Sequence, residues 1–156
     1  MKLYLYIDES GPFDEHFVGG KASVVGGVCS QFSPAEWQDI HQEHLLGLPS
    51  SLSQTFKYPA HYHCGPLLSR ELSTPPHLSR GELVNFSHCI FNNILEHSIF
   101  AFLSRNRGKR FEYSPQATYV MNLVAALRHA FLCISRLDDV DSVCIVIAQR
   151  TIKETV

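Results

Sequence analysis

Leu3-Tyr4-Leu5-Tyr6-Ile7-Asp8-Glu9-Ser10-Gly11 is the stretch whose reading decides the fold. It begins as an apolar, aromatic, β-prone run and ends in two adjacent carboxylates and a glycine. A short apolar run closed by a turn signal reads as a buried strand. Successive side chains of a strand point to opposite faces, so at most one of Asp8 and Glu9 continues the core-facing row. The other is placed to meet a ligand at the carboxyl end of the strand, where open α/β sheets bind theirs. A buried strand does not carry charge cheaply, so a carboxylate at its end needs a cation, a donor or solvent. Asp, Ser and Gly are also ordinary turn residues, and a solvated turn is the competing reading.

The remaining elements follow from local signals. A loop, Gly11-Pro12-Phe13-Asp14-Glu15-His16, leads to a β segment from about Phe17 to Cys29, and so short a connection predicts an antiparallel pair. Glycines at 19, 20, 26 and 27 are costly within a strand unless a bend or a close backbone approach requires them. Ser33-Pro34-Ala35-Glu36 spells a capped helix start with a capping box, and Trp37, Ile40, His44 and Leu45 fall together on that helix. His41 and His44 have a spacing that permits metal binding but lack a Glu-x-x-His context. From Leu48 to Pro76 the chain reads as a long Ser- and Pro-rich loop centred on His61-Tyr62-His63.

Ser79, with Glu82 three residues on, starts a second helix with an apolar stripe of Leu83, Phe86, Ile90 and Ile94, joined by Phe91 and Leu95. Ile99–Leu103 reads as a buried strand. It ends in Ser104-Arg105-Asn106-Arg107-Gly108-Lys109-Arg110, where Arg105, Arg107, Lys109 and Arg110 are either phosphate contacts or a solvated turn. Ser114-Pro115 opens the longest helix, to about Arg136, with Val120, Val124, Leu127, Phe131 and Ile134 expected against a sheet. Asp138, Asp139 and Asp141 read as a local acidic turn, since they lack the calcium-loop spacing. Val143 to Ala148 is the last strand. The expected architecture is α/β, with four or more strands in one mixed sheet and flanking helices.

The N-terminal YIDESG, followed by the glycine-rich second strand, resembles the bacterial family called domain of unknown function 3800. That resemblance implies a single RNase H-like domain over residues 1–156 and a metal-dependent nuclease, in a mobile-element or phage-defence setting. It implies Asp8 and Glu9 as metal ligands and catalytic residues, with Mg or Mn as the cofactor. It also implies a nearby histidine, matched best by His63, with His61 as the alternative. Members normally continue into a helix bearing another acid, and this sequence ends before it. The fold is therefore expected to lack its C-terminal helix and to expose apolar surface beside Val143–Ile147. A homodimer or a larger protein partner is expected to cover that surface.

Two-metal phosphodiester cleavage needs several carboxylates converging on cations roughly 4 Å apart. Ala148-Gln149 occupies the last-strand position where an acid would serve, and Glu112 is the one acid near the long helix. The site thus reads as incomplete. A non-catalytic RNase H-like module binding nucleic acid or protein is the alternative function. A zinc hydrolase using His61 and His63 is a third, and it lacks the residues to complete a tetrahedral ligand set.

Composition narrows the setting. With 156 residues, 45% hydrophobic content and a net charge of −2, the chain has ample core and no overall basic footprint. Any nucleic acid must therefore meet a local patch. No stretch reads as a membrane span or a secretory leader, and no membrane partner is expected. Five cysteines without a C-x-x-C pair suit reduced thiols, so a cytoplasmic location is expected.

Overall fold

In a computed structural model, the protein is described over residues 1–10, 23–46, 80–106 and 115–147. The chain divides into two compact units. One combines Met1–Gln31 with Ser98–Val156, and the other is Phe32–His97.

The first unit is built on β1 (Lys2–Ser10), β2 (Ser23–Ser30), β3 (Phe100–Asn106) and β4 (Ser142–Ile147). They form one mixed sheet in the order β3-β2-β1-β4. β2 runs antiparallel to both β1 and β3, whereas β4 is parallel to β1. The carboxyl ends of β1, β3 and β4 therefore share one end of the sheet. All four apolar runs expected to pair do so.

Alternation along β1 sets its two faces. Leu3, Leu5 and Ile7 are buried, while Tyr4 and Tyr6 are half-buried and Asp8 is exposed. Each buried aliphatic side chain contributes on the order of 1.5–3 kcal/mol relative to exposure. The glycine pair in β2 has a steric cause. A Cβ on Gly27 would collide with the Tyr6 carbonyl, and one on Gly26 would lie 2.9 Å from the Phe102 oxygen.

The long helix of this unit, Pro115–Ile134, crosses the sheet chiefly over β2 and β3. Ala126, Ala130 and Ile134 join Leu3, Leu5, Ile7, Val25, Cys29 and Phe102 in the core. This corrects the stripe expected from sequence. Ile134 is buried and Leu127 is partly buried, but Val120, Val124 and Phe131 are exposed. The helix is rotated so that small residues meet the sheet, which lets its backbone approach closely. Asn122 sits on the same inward face and accepts a hydrogen bond from Ser104 of β3. On the flank towards the β3 edge, His129 Nδ1 lies 3.1 Å from the Leu103 carbonyl oxygen.

This helix also corrects the expectation that no stretch could span a membrane. Ala117–Ile134 is long and apolar enough to cross a membrane by length and composition alone. Polar Asn122, Arg128 and His129 break the run to the eye but do not lower the average enough.

After the helix, Asp139 adopts a left-handed φ of 58°, which Asp tolerates better than most residues. The Asp141 amide then donates to the Met1 carbonyl at 2.9 Å, bringing the turn beside the start of β1. The Met1 ammonium pairs with the Asp141 carboxylate at 2.8 Å. The acidic turn read from sequence thus contacts the first residue.

The second unit carries α1 (Pro34–Leu46) and α2 (Arg80–Glu96), so the long helix is α3. The capping box at α1 forms in both directions. The Ser33 amide donates to Glu36 Oε2 at 2.7 Å, and the Glu36 amide donates to Ser33 Oγ at 3.4 Å. Phe32, Trp37 and His97 form a triangle of edge-on ring contacts with centroids 5.5 to 6.4 Å apart. On α2, Ile90 is buried and Ile94 is half-buried, as the stripe predicts. Phe91 and Leu95 are exposed, so the stripe is narrower than expected.

Candidate functional site

Asp8 and Glu9 close β1 on opposite faces of the sheet, as strand geometry requires. Asp8 is paired with Gly26 across β2, and Gly26 with Leu103 of β3. Glu9 is paired with Val25, and Val25 with Ser104. Ser104 bonds Asn122 of α3, and Val25 is in the core beneath that helix. Glu9 therefore belongs to the α3 face and Asp8 to the opposite one. The Asp8 carboxylate accepts the Glu9 backbone N–H through Oδ1 at 2.8 Å, which fixes its rotamer at the strand end.

Arg105 is the member of the basic run whose side chain lies among the described residues, and it is exposed. Its register, Arg105–Val24–Ser10, continues the Leu103–Gly26–Asp8 row by two residues. Asp8 and Arg105 thus share one face and one end of the sheet. Two strand spacings separate them laterally, about 10 Å, with about 7 Å along the strand direction. A carboxylate and a guanidinium at this separation can address one anionic ligand, the first through a cation and the second directly.

Tyr4 and Tyr6 lie on the Asp8 face, their rings stacked with centroids 6.3 Å apart. The Lys2 ammonium sits 5.0 Å from the Tyr4 centroid. This aromatic row leading to Asp8 was present in the alternation of β1 but is not apparent from the motif alone. Asn122 is the other residue that sequence reasoning passed over. It is the polar group on the inward face of α3, where only an acid had been sought.

His61, His63, Arg107, Lys109, Arg110, Glu112 and Gln149 lie outside the described residues. Among the described residues, no group of three or more His, Cys, Asp or Glu side chains converges to hold a metal ion. The donors fit one hard cation at Asp8 at most, completed by water. They do not fit a paired-cation centre, because Glu9 faces the other way. Comparisons with protein-family models, curated proteins and solved structures found no match for this chain.

Proposed function

We propose that this chain is an RNase H-like domain of the metal-dependent nuclease class, with Asp8 as its anchoring residue and an incomplete acidic site. The supporting observation is that Asp8 and Arg105 occupy one face at the carboxyl ends of β1 and β3. The reading also draws on the sheet order, with β1 central, an antiparallel β1-β2-β3 meander and a parallel β4 reached through α3. Mg or Mn would supply Lewis acidity to a phosphodiester if bound at Asp8. Because the described donors do not complete a two-cation site, hydrolysis by this chain alone is expected to be weak. Arg105 would hold a phosphate oxygen through charge-assisted hydrogen bonds. His63 would move protons or orient the substrate, as the resemblance to the YIDESG family implies.

Calorimetry with Mn²⁺, run beside a nuclease assay on wild type and Asp8→Asn, tests this reading. Metal binding should be lost in the variant while the fold is kept. Equal affinity in the two proteins would return Asp8-Glu9 to an ordinary turn. For nucleic-acid binding, Arg105→Ala should flatten the salt dependence by about one unit, evenly across sequences. An unchanged slope would remove Arg105 from the interface.

One observation favours a second reading. The opposed faces of Asp8 and Glu9 suit a non-catalytic module that keeps the fold and binds nucleic acid or protein. Weak Mn²⁺ binding without cleavage of single- or double-stranded DNA or RNA would select it.

A further inference from the structure

The face of the sheet turned away from α3 carries a continuous row along β1. Lys2, Tyr4, Tyr6 and Asp8 alternate with the buried Leu3, Leu5 and Ile7, so all four belong to that face. The Tyr4 and Tyr6 rings lie within 24° of parallel, with centroids 6.3 Å apart. The Lys2 ammonium is 5.0 Å from the Tyr4 centroid. Lys2 and Asp8 are exposed at the two ends of the row, and both rings are half-buried between them. From Lys2 to Asp8 the row is about 20 Å long by strand rise.

Small residues border the row. Tyr4 is level with Cys144 of β4, and Asp8 with Gly26 of β2. Tyr6 is level with Val28 and, one strand further, with Ala101 of β3. Cys144 and Ala101 are exposed, so this face is open to solvent on either side of β1. Among the described strand residues of this face, the charged ones are Lys2, Asp8 and Arg105. A cation therefore stands beyond each end of the aromatic pair. The ligand complementary to such a row is flat at intervals and anionic between them, which describes an unpaired nucleic-acid strand.

We propose that this row binds single-stranded nucleic acid, with bases on Tyr4 and Tyr6 and phosphates held by Lys2 and Arg105. The proposal rests on the nucleic-acid side of the reading above and names its substrate as unpaired. Bases carried by rings 6.3 Å apart are separated by nearly twice the duplex rise of about 3.4 Å. They are therefore unstacked from each other, as a single strand allows and a duplex does not. Lys2 gives way to a base at Tyr4, because a cation–π contact at an exposed site is weaker than base–aromatic stacking. The displaced ammonium stays beside the strand and takes a phosphate.

The experiment is fluorescence anisotropy on the full chain in EDTA, with labelled oligo(dT), oligo(U) and a duplex of the same length. The single strands should bind about tenfold tighter than the duplex. Tyr4→Ala should weaken single-strand binding about tenfold at an unchanged salt slope, and Tyr4→Phe should keep it. Circular dichroism checks each fold. A second measurement serves if Tyr4→Ala misfolds: an oligonucleotide carrying 5-iodouracil is photocross-linked to wild type and the protein is cut with trypsin. The cross-link should fall in the peptide Leu3–Lys21. Equal binding of duplex and single strand, wild-type affinity in Tyr4→Ala, or cross-links confined to other peptides would overturn the proposal. EDTA separates this site from the metal reading. Single-strand binding by a protein with no Mn²⁺ affinity would keep the tyrosine row and sink the nuclease. Mn²⁺ binding at Asp8 without single-strand binding would do the reverse.

Discussion

Ser104 Oγ donates to Asn122 Oδ1 at 3.3 Å, joining the edge strand β3 to the inward face of α3. Asn122 is only 5% exposed, and its Nδ2 has no hydrogen-bond partner among the described residues. A buried donor left unsatisfied costs about 1–3 kcal/mol. The double variant Ser104→Ala with Asn122→Leu is therefore expected to raise stability by about 1 kcal/mol in urea denaturation. A loss instead would mean that the polar pair sets the rotation of α3 on the sheet.

The capping box gives a prediction with a pH dependence. The Ser33 hydroxyl and the Ser33 backbone amide hold the Glu36 carboxyl below its usual range. Because the folded-state value is depressed, the contribution is complete above the ordinary glutamate range. It is lost as pH falls through the folded value. Ser33→Ala should cost about 1 kcal/mol near neutrality. The difference from wild type should narrow in acid, and denaturant midpoints measured at several pH values check it.

Gly26 and Gly27 are neighbours with unequal tolerance. At Gly27 a methyl group would meet the Tyr6 backbone, which cannot rotate away. At Gly26 it would meet the Phe102 oxygen at 2.9 Å and the Leu103 Cβ at 3.1 Å, where smaller shifts suffice. Gly27→Ala should destabilise the protein by more than about 2 kcal/mol, and Gly26→Ala by less. Thermal melts of the two variants give the order directly.

Burial pushes the Cys29 thiol up to about 11, with a smaller contribution from Cys133. A thiol held protonated is a poor nucleophile. Maleimide at neutral pH should therefore label exposed Cys89 and leave Cys29 until denaturant is added, as peptide mass spectrometry would show. The raised value also implies a stability contribution that is complete below the ordinary thiol range. It is lost as pH climbs towards 11.

The sequence by itself determined the described strands and helices and the pairing of β1 with β2. Period-two alternation in β1, Ser33-Pro34-Ala35-Glu36 and the apolar run before Ser104 are local signals. Local geometry is enough to act on them. It also determined that Asp8 and Glu9 part to opposite faces, because that follows from the strand alone. Only the tertiary structure decided which face each took, since β2, β3 and α3 fix the sides. The rotation of α3 was likewise hidden. Its apolar residues are spread around the helix, so periodicity allows more than one inward face. The choice of Asn122, Ala126 and Ala130 depends on Ser104 and the core beneath them, which lie far away in sequence. Arg105 came to share a face with Asp8 for the same reason: register across three strands is a long-range property that no local pattern encodes.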